Sequence, residues 1–176
     1  QDLGITIVFV THDQEEALTM ATEICIMRNG QIEQIATPTE IYERPASVFC
    51  AKFIGEANVI PCPVTSINRD GRALINLHGL TVPAPENSIS YSENDIVNVV
   101  IRPEKIKLVN ESYGGLKFPG VIEQCVYIGD SLKLKVRLRN GHHLKAKVFT
   151  NRSLSLNPGD EVLLGVSEED IVAVMP

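Results

Sequence analysis

From residue 56 onward the chain is a succession of β-branched runs, four to eight residues long, separated by Asn-Arg-Asp-Gly, Pro-Ala-Pro-Glu-Asn, Tyr-Gly-Gly, Asn-Gly and Asn-Pro-Gly-Asp. A turn cluster interrupts each apolar run before a 3.6-residue stripe could complete two turns, so no helical period develops. Short strands at such spacing have few stable arrangements: they close into a barrel or stack as a sandwich. An all-β domain over 56–176 is expected.

This region also echoes itself. Asp95 to Val109, DIVNVVIRPEKIKLV, aligns with Asp160 to Val174, DEVLLGVSEEDIVAV, at an offset of 65 residues. Asp95/Asp160, Val97/Val162, Glu104/Glu169, Ile106/Ile171 and Val109/Val174 coincide. Each copy reads as a strand, an acidic turn and a closing strand. A strand pair precedes each: Ala73 to Leu77 with Leu80 to Val82, then Leu132 to Arg139 with His143 to Val148. Two similar, interleaved β units are expected.

Residues 1–55 have a different texture. Ile5 to Val10, ITIVFV, has the continuous apolar pattern of a strand buried on both faces of a parallel sheet. Thr11, His12 and Asp13 follow, then the helix formers QEEALTMA, with Asp13 as N-cap and Glu16 at capping-box spacing. Glu23 to Arg28 and Gln31 to Ile35 flank Asn29-Gly30, the pair suited to a two-residue type I′ hairpin. Thr37-Pro38-Thr39-Glu40 supplies an N-cap, a first-turn proline and an N3 glutamate for a helix over Pro38 to Glu43, ended by Pro45. A second short helix, Ala46 to Ile54, places Val48, Phe49, Phe53 and Ile54 near one face and stops at Gly55. A boundary between two domains falls at Glu56 to Pro63, stiffened by Pro61 and Pro63. With Gln1 as first residue, the chain reads as starting near the end of a larger α/β domain.

Composition narrows the function. Sixteen Lys and Arg against 22 Asp and Glu give a net charge of −6, without a run of like charges, which argues against nucleic acid and anionic membrane surfaces as partners. No apolar stretch is long enough to span a bilayer, and the N-terminus lacks signal-peptide order. Cys25, Cys50, Cys62 and Cys125 form no C-x-x-C pair and read as reduced thiols.

His12 is the leading candidate for chemistry, because it lies between a strand and a helix N-terminus, where α/β sheets place ligand-contacting groups. An imidazole there can donate to a phosphate oxygen or accept from an attacking water. Asp13 caps the helix. His78 precedes Gly79 at a hairpin, while His142 and His143 follow Asn140-Gly141 as neighbours whose side chains point to opposite strand faces; all three read as surface-turn residues, with no metal site. No G-x-S-x-G elbow marks a nucleophile. Lys133, Lys135, Arg137 and Arg139 alternate with Leu132, Leu134, Val136 and Leu138, giving one solvated cationic face and one core face.

Read as a string, Ile5 to Ile60 resembles the end of the nucleotide-binding domain of ABC importer ATPases, in which V-T-H-D, Q-E-E-A, R-N-G-x-I-E-Q, P-x-E-I-Y-x-x-P and F-I-G occur in this order. IRPEKIKL, residues 101–108, resembles the R-P-E signature of that class's accessory domain, the TOBE type of oligomer-binding fold. The resemblance covers nearly the whole chain. It implies an α+β fragment of an α/β nucleotide-binding domain over 1–55, followed by an all-β, molybdate-binding-like barrel over 56–176. His12 becomes the switch-loop histidine, contacting the γ-phosphate of ATP and orienting the hydrolytic water.

The resemblance further implies ATP and Mg2+ in the parent protein, transmembrane permease subunits, an indirectly coupled substrate-binding protein, a homodimer, and a place on the cytoplasmic face of the membrane. No G-x-x-x-x-G-K-[S/T] loop, L-S-G-G-Q signature or apolar run ending in Asp-Glu occurs, so this stretch alone is expected neither to hold nor to hydrolyse ATP. FIGEANV and RPEKI look most like the polyamine class of importers, for spermidine and putrescine. Importers for sugar, iron, sulfate or molybdate share most of the motifs. A β domain that captures an oxyanion with Lys145 and Lys147 is the reading from another class. Residues 1 to about 20, lacking neighbouring strands, are expected to be displaced, disordered or held by a neighbouring chain.

Overall fold

A computed structural model describes residues 4–85, 91–149 and 155–174. The chain opens with α1 (Gln14–Met20), the hairpin β1 (Ile24–Arg28) and β2 (Gln31–Ala36), then α2 (Pro38–Glu43) and α3 (Val48–Phe53). Arg28 pairs with Gln31 around Asn29 and Gly30, whose φ angles of 50° and 77° are those of a type I′ turn. At α2 the capping box is complete: Thr37 accepts from the Glu40 amide, and the Glu40 carboxylate accepts from the Thr37 amide. At α1 only half of it forms. Asp13 Oδ1 accepts from the amides of Glu15 and Glu16, but Glu16 turns to the Thr11 hydroxyl, 2.8 Å away, and the Asp13 amide donates to Thr11 Oγ1.

Two five-stranded antiparallel sheets follow. β3 (Asn58–Ile67), β4 (Ala73–Leu77), β5 (Leu80–Pro83) and β6 (Ile96–Ile101) lead through a 3-10 turn, Pro103–Lys105, into β7 (Lys107–Leu108). β8 (Leu116–Tyr127), β9 (Ser131–Leu138), β10 (His143–Phe149) and β11 (Glu161–Val166) lead through a second 3-10 turn, Glu168–Asp170, into β12 (Ile171–Val174). The sheets run β12-β6-β3-β4-β5 and β7-β11-β8-β9-β10. Each unit's closing strand therefore joins the other unit's sheet.

The offset of 65 is obeyed in the strand register. Ala173 pairs with Val99 and Leu164 with Leu108, which are images of one another; Val172 with Val100 and Gly165 with Lys107 are a second such set. Lys105 and Asp170, equivalent positions in the two 3-10 turns, meet at 3.2 Å. Equivalent positions meet each other only near a twofold axis, so the two units are related by a local twofold passing through this pair. Both contribute to one apolar core, from Ile60, Val99 and Ile101 to Val136, Leu144 and Leu164.

Several sequence expectations need correction. Residues 5–10 form no strand, and their apolar side chains are solvent-exposed, Val10 by 91%. A strand of this pattern needs neighbours on both sides, and β1 and β2 pair only with each other. The expected displacement of residues 1 to about 20 holds for 4–10 but not for α1, whose Ala17 and Leu18 pack on Ile24, Ile26, Ile41, Cys50 and Ile54. α3 buries Cys50 and Ala51 rather than Phe49 and Phe53, which stack on each other nearer the surface. Pro61 and Pro63 stand inside β3, not in a linker. They are tolerated because β4 pairs with β3 only from Val64 onward, so their missing amides face no partner strand. Glu86 and Asn87 of the Pro-Ala-Pro-Glu-Asn cluster, and residues 1–3, lie outside the described residues. Among the described residues, no helix is long and apolar enough to cross a membrane.

Gly120 in β8 makes a tight sheet contact that a substitution can report. A Cβ there would lie 2.6 Å from Val136 Cγ1 and 2.7 Å from the Arg137 carbonyl oxygen, a backbone atom that cannot yield. Gly120→Ala is expected to cost about 1–3 kcal/mol in urea denaturation. Gly114→Ala, which meets nothing within 4 Å, is expected to stay within about 0.5 kcal/mol of the parent. Equal losses would contradict this packing.

Candidate functional site

His12 occupies an exposed turn directly before α1, the position that the sequence assigns to it, although without the buried parallel strand expected to precede it. Thr11 and Asp13 fix the backbone on either side through the hydrogen bonds that start the helix. The imidazole is thus presented to solvent from an ordered helix start.

Behind this helix stands the junction with the barrel. Arg102 follows the apolar run of β6 and is 4% exposed. Its Nη1 donates to the carbonyl oxygens of Ala51 at 2.8 Å and Glu56 at 3.3 Å, and its Nη2 to that of Tyr42 at 3.0 Å. The guanidinium carbon lies 4.2 Å from the centre of the Tyr42 ring, a cation–π stack. The Tyr42 hydroxyl donates to Glu104. One side-chain fork from the barrel thereby holds the end of α2, the interior of α3 and the connecting segment. Burial lowers the Arg102 pKa, opposed by Tyr42, Glu104 and Glu43. Burial, followed by the hydrogen bond to Glu104, pushes the Tyr42 phenol up to about 12.

The connecting segment makes a second set of bonds. The Asn58 amide donates to the carbonyls of Ile101 and Lys145, and its oxygen accepts from the Lys145 amide at 2.8 Å. It pairs with the edge of β10 much as a neighbouring strand would. Glu56 joins Lys133 and Lys145 at 2.9 and 3.1 Å, and those hydrogen bonds hold its carboxyl below the usual range. The alternating cationic face of β9 is present as expected, but most of it is paired: Lys133 with Glu56, and Lys135 and Arg137, together with His143, with Glu123. Lys145 is engaged by Glu56, and Lys147 lies over the Phe149 ring. The two lysines do not converge on an anion.

His142 and His143 are exposed, as the surface reading expects, whereas His78 is part-buried. His78 and His142, on separate hairpins, come together with ring centres 5.0 Å apart. His78 packs edge-on against Phe118 and its Nε2 is buried without a hydrogen-bond partner. Burial, helped by His142, pulls its pKa down to about 4. Sequence spacing could not show this pairing, since 64 residues separate the two turns. The role of Arg102 was closer to legible: an arginine ending an apolar strand must find several acceptors if it stays inside.

Residues 99–174 match the TOBE domain family, so the chain carries a TOBE domain. Similar curated proteins are importer ATP-binding subunits of the PotA and FbpC types. The chain is 39% identical over 168 residues to the spermidine/putrescine import ATP-binding protein PotA of Nitratidesulfovibrio vulgaris, covering 92% of this chain and 45% of that protein. The PotA of Fusobacterium nucleatum is 35% identical over 173 residues, 96% of this chain and 46% of its own. The Fe(3+) ions import ATP-binding protein FbpC of Brucella abortus is 39% identical over 156 residues, 89% and 42%. The chain spans about half the length of these relatives. Among solved structures, the cytoplasmic molybdate-binding protein ModG, with molybdate bound, superposes with a TM-score of 0.57 at 16% identity, covering 68% of this chain and 96% of that one. At that identity the likeness concerns fold alone.

Two measurements test the junction. Arg102→Ala leaves buried carbonyls unpaired and is expected to lower stability by about 2–4 kcal/mol in urea. Arg102→Lys should not restore it, because an ammonium cannot fork to three acceptors; parent-like stability in Arg102→Ala contradicts the assignment. Tyr42 should ionise last of the four tyrosines, at about pH 12. Its pKa is raised on folding, so its contribution to stability is complete below the unfolded value of about 10 and is lost as pH rises through the folded one. Tyrosinate absorbance after a rapid pH jump reads this step, and it should vanish in Tyr42→Phe.

Proposed function

We propose that this chain is the C-terminal part of the ATP-binding subunit of an ABC importer, and that the complete subunit hydrolyses ATP to drive uptake of a small solute, a polyamine such as spermidine or putrescine. The observation that carries this reading is similarity to a PotA protein over 92% of the chain. Residues 1–55 are then the end of the nucleotide-binding domain and 56–176 the accessory β domain.

Of the ATP site, this chain supplies the His12 imidazole. Its exposure at a helix start lets it reach a phosphate bound by another element, donating to a γ-phosphoryl oxygen and positioning the water that attacks phosphorus. The phosphate loop and the Mg2+ ligands belong to the remainder of the subunit. Permease subunits at the cytoplasmic face of the membrane are the mechanical partners, a substrate-binding protein delivers the cargo, and two subunits close as a homodimer. Arg102 links the barrel to α2 and α3, against which α1, the helix after His12, packs. Iron is the second cargo reading, favoured by the equal identity of the Brucella abortus FbpC.

The test is ATP hydrolysis by the complete subunit with its membrane partners, supplied in turn with polyamine-loaded and Fe(3+)-loaded binding proteins. His12→Ala should lower kcat by about 100-fold or more. Stimulation by the polyamine-loaded protein alone supports the cargo. Unaltered hydrolysis in His12→Ala overturns the switch role, and stimulation by iron alone overturns the polyamine reading.

A further inference from the structure

Three of the four histidines of the chain, His78, His142 and His143, line one cleft of about 510 Å3 between β3 and the tips of the β4–β5 and β9–β10 hairpins. We propose that His78 and His142 form a binding site for a divalent transition-metal ion of the Zn2+, Co2+ or Ni2+ kind. This inference does not depend on the importer reading.

The spacing of the rings fits. A Zn–N bond of about 2.0–2.1 Å, with roughly 1.1 Å more from nitrogen to ring centre and a tetrahedral angle at the metal, places two ligand imidazoles with centres about 5.2 Å apart. The observed separation is 5.0 Å. His78 Nε2 is buried and has no hydrogen-bond partner, a state that buried nitrogen rarely keeps without a ligand or water to satisfy it. A cation between the rings supplies what it lacks.

The turns that carry both histidines are fixed, and the His78 ring is packed in place. His78 sits at a φ of 52°, in a turn closed by the Gly79 amide donating to Asn76 Oδ1 at 2.7 Å. The His142 amide donates to Asn140 Oδ1 at 3.1 Å, and the Phe118 ring stands edge-on to His78 at 6.3 Å. Preorganised ligands lose little entropy on binding.

The cleft lining discriminates among ligand classes. It contains imidazoles and neutral amides and no carboxylate, so it offers nothing to compensate a polyamine's charges. The nearby Lys145 is paired with Glu56, which weakens the case for an oxyanion. Among the described residues, no three His, Cys, Asp or Glu side chains converge, so water completes the coordination and the affinity belongs in the micromolar range. His143 stays with Glu123 at 2.9 Å.

The test uses the full chain, treated with chelator and kept reduced, titrated with Zn2+ by calorimetry and with Co2+ by visible absorption. One equivalent should bind with micromolar Kd, and the Co2+ spectrum should show ligand-field bands without thiolate charge transfer. His78→Ala and His142→Ala should each weaken binding about tenfold or more. Cys25→Ser with Cys125→Ser should leave it unchanged. Because His142 is exposed, its substitution keeps the fold even if His78→Ala does not, and circular dichroism checks both. Failure to saturate, a thiolate band, or binding indifferent to His142→Ala in a folded chain overturns the proposal.

Discussion

A single guanidinium fixes how the two halves of the chain sit together. Arg102 leaves the end of a core strand and spreads its donors over three backbone carbonyls from α2, α3 and the segment after Gly55, while its flat face rests on Tyr42. Burying a charge is costly unless hydrogen bonds and neighbouring charge compensate it, and here three acceptors, an aromatic face and the nearby Glu104 do so. The fit is close. A Cβ on Gly55 would come within 3.2 Å of Tyr42 Cε2 and 3.5 Å of Arg102 Nη1, which gives the glycine of the F-I-G segment a packing reason. Ala51 adds apolar contact by packing on Val100 and Val174 beneath α3.

The barrel domain can offer such a fork because of how it is built. In each β unit a 3-10 turn redirects the chain, so that the closing strand completes the other unit's sheet. Neither unit can keep its register without its twin. Lys105 and Asp170, at equivalent places in the two turns, meet at the local twofold, and Lys105 also reaches Glu43 of α2. The R-P-E turn thus belongs at once to the symmetry of the barrel and to the junction, whereas its counterpart, Ser167 to Glu169, carries no arginine.

Local chemistry was well legible in the sequence. Asn29-Gly30, Thr37 through Glu40 and the alternating Lys133 to Leu138 define their own conformations within a few residues, and the structure agrees at each. The 65-residue echo announced two interleaved units, later seen in matching register. What escaped depended on distant partners. ITIVFV has the pattern of a buried strand, but pattern alone cannot supply flanking strands. Glu16 had the spacing of a capping box, yet the Thr11 hydroxyl competed for its carboxylate. Pro61 and Pro63 looked like linker residues because the sequence does not reveal that one side of β3 lacks a partner at that height. The meeting of His78 with His142, and of Arg102 with Tyr42, spans about sixty residues and leaves no local trace.

The six-residue helices α2 and α3 are too short to persist in water by themselves, so whatever order they hold comes from the junction and the small cluster around Ile41 and Cys50. A junction held by Arg102 requires that they open only when the β sheets open. Native-state hydrogen exchange tests this directly, by comparing the amides of Ile41 and Ala51, which close the first turns of α2 and α3, with those of Val99 to Ile101 in β6. The account predicts one shared opening free energy for both groups. Rapid, separate exchange of Ile41 and Ala51 against a fully protected β6 would contradict it, and Arg102 would then be a surface dock rather than the joint of the molecule.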